Sequence, residues 1–143
     1  MKELNEGDKA PSFKELKANK GKTVVLYFYP KDDTSGCTIE ACELRDVHKK
    51  IKARDAVVLG VSPDSAKSHE KFAMKFDLPF TLVPDEDHTI CEAYGVWKEK
   101  SMYGRKYMGV ERTTFIIAPN GVIKKIFRNV KPAGHAEEVL GAI

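Results

Sequence analysis

The sequence predicts an α/β fold, a central mixed sheet flanked by helices on both faces, and three observations carry that expectation. Three short, continuous apolar runs rich in β-branched or aromatic residues, VVLYFY (24–29), AVVLGV (56–61) and TTFIIA (113–118), have the pattern of strands buried on both faces. Stretches with helical spacing of apolar residues lie between the first two runs and after the second, and a strand-helix-strand-helix order implies a largely parallel sheet. With 42% of 143 residues apolar, the chain can build one core, and no break in composition asks for a second, so residues 1–143 read as a single domain.

Taken in order, the N-terminal stretch MKELNEGDKAPSF has no apolar signal-like region, and the longest apolar run is far too short to span a bilayer. No membrane association or export is expected, and the cytoplasm is the expected location. The strand at 24–29 is stopped by Pro30, and KDDTSG (31–36) turns the chain. TIEACELRDVHKKIKAR (38–54) then places Ala41, Leu44, Val47 and Ile51 at helical spacing. After the second strand, SAKSHEKFAMKF (65–76) does the same with Ala66, His69, Ala73 and Phe76. KEKSMYGRKYMGVER (98–112) is the longest irregular piece and reads as a loop that could serve a site. PNG (119–121) between the third strand and VIKKIFR (122–128) predicts a tight turn joining two antiparallel strands, and HAEEVLGAI (135–143) predicts a closing helix.

Charge and cysteine content exclude several classes. The formal charge of +3 comes from 24 basic and 21 acidic side chains mixed along the chain, with no basic block, so nucleic acid is not an expected partner. Tyr103 and Tyr107 among Lys and Arg read as part of the loop rather than as a stacking stripe. Three cysteines, Cys37, Cys42 and Cys91, are too few for the disulfide framework of a small secreted protein. Chemically useful thiols in a reducing compartment fit them better.

Cys37 follows a turn and begins a predicted helix. A free thiol titrates near ~8.5, so a reactive cysteine needs something that favours its thiolate. With Thr34 or Ser35 as N-cap, Cys37 falls in the first helical turn, where unpaired backbone N–H groups and the helix dipole stabilise an anion. Its alternative is a small buried hydrophobe. Five residues along a helix rise roughly 7.5 Å and rotate about 140°, which sets the Cα atoms of Cys37 and Cys42 roughly 8 to 9 Å apart. A disulfide tolerates at most about 7 Å. Cys37 is expected to share the apolar face of Leu44 and Ile51, with Cys42 pointing nearly the other way. If the two thiols react, the first turns of the helix must unwind, which predicts a two-state element.

The stretches FYPKDDTSGCTIEAC (28–42) and YGVWKEKSMYGRKYMGVERTTFII (94–117) resemble the Q-type peroxiredoxins, also called bacterioferritin comigratory proteins, and the resemblance runs from GDKAPSF to ERTTFII. It rests on Pro30, Thr34 and Cys37 in a Pro-x-x-x-Thr-x-x-Cys motif, and on Arg112 before a late strand. The resemblance implies a thioredoxin-like fold and a thiol-dependent peroxidase acting on hydrogen peroxide and alkyl hydroperoxides, without cofactor or metal. It implies Cys37 as the nucleophile that becomes sulfenic acid, Cys42 as the resolving thiol, and Arg112 and Thr34 as the groups that hold the peroxide oxygens. Pro30 would shape and dry the pocket. Thioredoxin or a similar dithiol would reopen the disulfide, and the chain would be a monomer or at most a weak dimer. Each supporting residue has a plainer alternative: Thr34 as a cap, Pro30 as a strand stop, Arg112 as a surface cation. Glu40 could bond Arg112 or cap the helix and is left out of the catalytic set.

Where the family often reads Thr-Pro-Gly-Cys, this chain has Thr34-Ser35-Gly36-Cys37, which removes a ring that would fix φ at position 35. Cys91 has no place in the motif and reads as a packed residue on a short helix, with a second thiol partner as its alternative. A metal module using Cys37, Cys42, His48, His88 and Cys91 is a rival, but C-x-x-x-x-C without a second tight pair is poor zinc spacing. A thiol-disulfide oxidoreductase that never meets peroxide is another, and the absent C-x-x-C and the presence of Arg112 speak against it.

Overall fold

The computed structural model describes residues 3–143; the first two residues of MKELNEGDKAPSF lie outside them. The chain runs α1 (Lys14–Ala18), β1 (Thr23–Phe28), α2 (Ser35–Asp46), α3 (His48–Ala53), β2 (Ala56–Ser62), α4 (Ala66–Phe76), β3 (Thr81–Pro84) and α5 (Thr89–Ala93). It continues through β4 (Trp97–Met102), β5 (Arg105–Val110), β6 (Thr113–Ile117), β7 (Ile123–Phe127) and α6 (His135–Ala142). A five-stranded sheet has the order β3-β2-β1-β6-β7, and β4 and β5 form a separate two-stranded sheet.

The three apolar runs became the three central strands. Val25 of β1 pairs in parallel with Val58 of β2 and antiparallel with Ile116 of β6. The sheet is more evenly mixed than the largely parallel one expected, because β6 joins β1 from the opposite direction and β7 returns antiparallel beside it. Alternate residues of β1 feed two cores, as strands covered on both faces require. Val25 and Tyr27 pack with Ala41, Leu44, Ile51, Phe72 and Val139 from α2, α3, α4 and α6. Val24, Leu26 and Phe28 pack with Cys91, Tyr94 and Phe115 beneath α5. Gly60 of β2 is the place where this packing forbids a side chain, since a Cβ there would lie 2.8 Å from the Tyr27 ring.

Two expectations are corrected. The helix expected over 38–54 divides at Val47, whose φ of −104° and ψ of 8° leave the helical region between α2 and α3. The hydrogen bonds nearly bridge the break, from Val47 N–H to the Glu43 carbonyl and from Ile51 N–H to the Val47 carbonyl. A β-branched residue, stiff at χ1, sits at the joint. The segment 98–112 is a hairpin rather than a loop. Tyr103 and Gly104, both at positive φ, form a two-residue turn between the paired Met102 and Arg105. Its strands are mostly exposed and carry no apolar alternation, which hid them from a reading based on period. The PNG turn and the closing helix stand where the sequence placed them.

Candidate active site

β1 ends beneath Tyr29, Pro30 stops it, and Thr34 sits at the N-cap of α2 with extended backbone (φ −88°, ψ 158°). The first intrahelical bond runs from Thr38 N–H to the Thr34 carbonyl. The N–H groups of Ser35, Gly36 and Cys37 therefore have no intrahelical acceptor and present the positive end of the helix. Thr34 caps through its backbone only; its hydroxyl donates to the Lys31 carbonyl at 3.0 Å.

Cys37 is 1% exposed, in the first turn of α2, on the face that also buries Ala41 and Leu44. Arg112, in the short link from β5 to β6, reaches across the sheet end and donates from Nη2 to Cys37 Sγ at 3.2 Å. Its Nη1 donates to Glu40 Oε1 at 2.7 Å, one turn farther along α2. Arg112 is thus no surface cation: its side chain is 15% exposed and that of Glu40 1%. Burial works to lower the pKa of the guanidinium, but the negative charges of Glu40 and the Cys37 sulfur outweigh it and hold the pKa above the usual arginine value. Burial pushes the Glu40 carboxyl up to about 7 against the pull of Arg112. Glu40 Oε2 has no hydrogen-bond partner among the described residues. Gly36 leaves room for this arrangement, since a Cβ there would lie 3.3 Å from Arg112 Nη2.

A cleft of about 390 Å³ opens above Arg112, lined by Pro30, Lys98, Lys100, Glu111, Asn129 and Val130 among others. Pro30 and Arg112 share this cleft; Cys37 does not line it and meets it only through the Nη2 bond of Arg112. The rim lysines come from the hairpin that the sequence had presented as an irregular loop. Burial and Arg112 lower the pKa of Lys100, against an opposing pull from Cys37 and Glu111.

Cys42 is half-buried and unpaired five residues along the same helix, so the two thiols are free and apart. Cys91 is buried in the core on the other side of the sheet, its backbone N–H donated to Asp85, and burial pushes its thiol well up. The ligand set of the metal reading does not assemble: His48 packs on Phe80, and His88 stacks on Trp97 at 3.8 Å. Among the described residues, the one group of such side chains drawn close together is Asp32, Asp64 and His69.

The AhpC/TSA family matches residues 3–126. The chain belongs to this family, as a peroxiredoxin of the Q or Bcp type. It is 50% identical over 146 residues to the putative peroxiredoxin Bcp of Coxiella burnetii, with 96% of this chain and 97% of that protein covered. It is similar to the solved PrxQ of Xylella fastidiosa, a cysteine-to-serine mutant, at a TM-score of 0.92 and 40% identity, covering 99% of this chain and 96% of that one. It also resembles the bacterioferritin comigratory protein of Xanthomonas campestris, solved as trapped intermediate and ligand complexes bearing on its alkyl peroxide reduction. There the TM-score is 0.85 and the identity 45%, over 89% of this chain and 81% of that one. The mixed sheet with helices on both faces is the thioredoxin-like fold of these peroxiredoxins. The chain is a thiol-dependent peroxidase, with a hydroperoxide as substrate and a thiol as reductant.

Proposed function

We propose that Cys37 is the nucleophile of this peroxidase and Cys42 its resolving thiol, within a single domain that acts as a monomer in the cytoplasm. The observation that carries the reading is the Arg112 N–H at 3.2 Å from a sulfur seated at a helix N-terminus. Both features stabilise an anionic sulfur, and both face the oxygen on which charge develops. The Cys37 thiolate attacks one oxygen of the hydroperoxide, the O–O bond breaks, and the departing oxygen leaves with a proton as water or an alcohol. Cys37 is left as sulfenic acid.

Arg112 holds the peroxide oxygens from the cleft side and Pro30 keeps that side dry. Thr34 spends its hydroxyl proton on the Lys31 carbonyl, so toward the peroxide it acts as an acceptor for the O–H of the substrate. The Cys42 thiolate then attacks the sulfenic sulfur, the S–O bond breaks, and hydroxide leaves as water. A dithiol of the thioredoxin kind reopens the disulfide by exchange. The alkyl peroxide reduction of the Xanthomonas protein supports organic hydroperoxides as substrates beside hydrogen peroxide.

Peroxide-dependent oxidation of reduced thioredoxin, measured on the native protein, Cys37→Ser and Cys42→Ser, tests the assignment. Cys37→Ser should lose the activity entirely. Cys42→Ser should still consume about one equivalent of peroxide per chain and then stop turning over with thioredoxin. Full activity in Cys37→Ser would overturn the reading.

A further inference from the structure

The loop that carries Pro30 and Thr34 is fastened at one residue. Asp32 is 8% exposed, and both of its carboxylate oxygens are filled. Oδ1 accepts from the Tyr29 hydroxyl at 2.6 Å, and Oδ2 accepts from the Ser68 hydroxyl at 2.8 Å and meets His69 Nδ1 at 2.7 Å. His69 Nε2 lies 3.0 Å from the Val83 carbonyl, which can only accept, so Nε2 carries a proton. The Nδ1–Oδ2 contact then needs a proton of its own between two groups that otherwise both accept. The Asp32 N–H donates to Asp64 Oδ2, which in turn accepts from the Ser62 hydroxyl at 2.6 Å.

One loop residue is thereby tied to the end of β2, to α4 and to β3. The two residues that follow it are held weakly by their side chains: Asp33 pairs with Lys75 where both are half-exposed, and the Thr34 hydroxyl bonds to nearby Lys31. The close approach of Asp32, Asp64 and His69 is accounted for by these donors, with no cation required. Burial opposes the charge on Asp32, yet the hydrogen bonds from His69, Tyr29 and Ser68 outweigh it and hold its carboxyl below the usual range.

Resting on the roles just proposed for Cys37 and Cys42, we propose that Asp32 and His69 form a positioning latch. It holds the Pro30–Thr34 loop in the peroxide-reactive arrangement and confines the unwinding that joins the two thiols to the chain after Asp32. Pulling Asp32 from its seat would leave a buried charge without its partner, whereas Asp33 and Thr34 leave theirs at little cost. A protein without the latch lets the loop drift before peroxide arrives. Reaction of Cys37 with peroxide slows, and the later closing of the disulfide does not.

Rapid-quench alkylation with mass spectrometry reads both steps in the full chain, native and as His69→Gln, Asp32→Asn and Ser68→Ala. Val139→Ala, which removes core packing under α6, serves as a control for lost stability. The second-order reaction of Cys37 with hydrogen peroxide should fall about tenfold in His69→Gln and Asp32→Asn and two- to threefold in Ser68→Ala. Disulfide formation should keep its native rate or exceed it. Val139→Ala should change both steps by less than twofold. Labelling of reduced Cys37 by iodoacetamide reads the loop without peroxide, and it should quicken several-fold in the latch variants even if Cys37 proves not to be the peroxide nucleophile.

Ser68→Ala removes one hydroxyl and keeps the test alive should the other two fail to fold. Unchanged labelling and unchanged peroxide rates in the folded latch variants would overturn the proposal, as would the same split between steps in Val139→Ala.

Discussion

Glu40 is buried and shares the Arg112 guanidinium with the Cys37 sulfur. One oxygen accepts from Arg112, the other has no partner among the described residues, and the carboxyl is pushed up to about 7. A carboxyl whose pKa is raised in the folded state binds its proton more tightly there than in the unfolded chain. Its contribution to stability is therefore full below the ordinary carboxyl range and lost as pH rises toward 7. The loss is on the order of 3 kcal/mol, at about 1.4 kcal/mol for each tenfold difference in proton affinity. Urea unfolding at pH 5 and pH 8 should show the native protein losing more stability across that interval than Glu40→Gln; parallel losses in the two would sink this account. At the same scale, the sequence made the residue types at 30, 34, 37 and 112 legible as a motif. It could not say that Arg112 would divide its guanidinium between Cys37 and Glu40, because that depends on a link from β5 to β6 coming to rest over the first turns of α2.

At the scale of an element, the proposed resolution by Cys42 requires the first turns of α2 to come apart. Ser35 is its first helical residue, and Thr34 before it is already extended. Proline is well suited to that first position, and the residue before a proline prefers extended backbone, so Ser35→Pro should fit without strain. It would stabilise the folded helix start by about 0.4 to 1 kcal/mol through the unfolded state, which translates into roughly two- to fivefold slower disulfide formation. Quenched-flow trapping of the sulfenic and disulfide forms measures it, and equal rates would remove Ser35 from the account. The α2–α3 joint and the β4–β5 hairpin show where elements escape the sequence. Apolar spacing runs straight across Val47, so a one-residue break is invisible to it. A hairpin with two exposed strands has no alternation to find, although the Gly104 turn is a faint signal once the pairing of Met102 with Arg105 is known.

At the scale of the whole molecule, the central sheet separates the thiols. Cys37 belongs to the core covered by α2, α4 and α6, and Cys91 to the core beneath α5. Peroxide treatment of Cys42→Ser followed by peptide mass mapping should therefore find no bridge within one chain from Cys37 to Cys91, and should find Cys37 further oxidised instead. A Cys37–Cys91 bridge in a folded monomer would contradict the separation. None of the helices in the described residues is long and apolar enough to cross a membrane.

The sequence by itself determined the three central strands, the helix start at Cys37, and the spacing that keeps Cys37 and Cys42 from bonding while helical. These follow from local chemistry: apolar runs, a proline, a turn-rich hexamer and the fixed rise of a helix. Only the tertiary structure decided that β6 would meet β1 antiparallel, that Arg112 would lie over Cys37 with Glu40 behind it, and that Asp32 would be fastened by His69. Those contacts join residues 72, 75 and 37 positions apart. Their energies come from burial and paired charge, which exist only once the chain has closed around them.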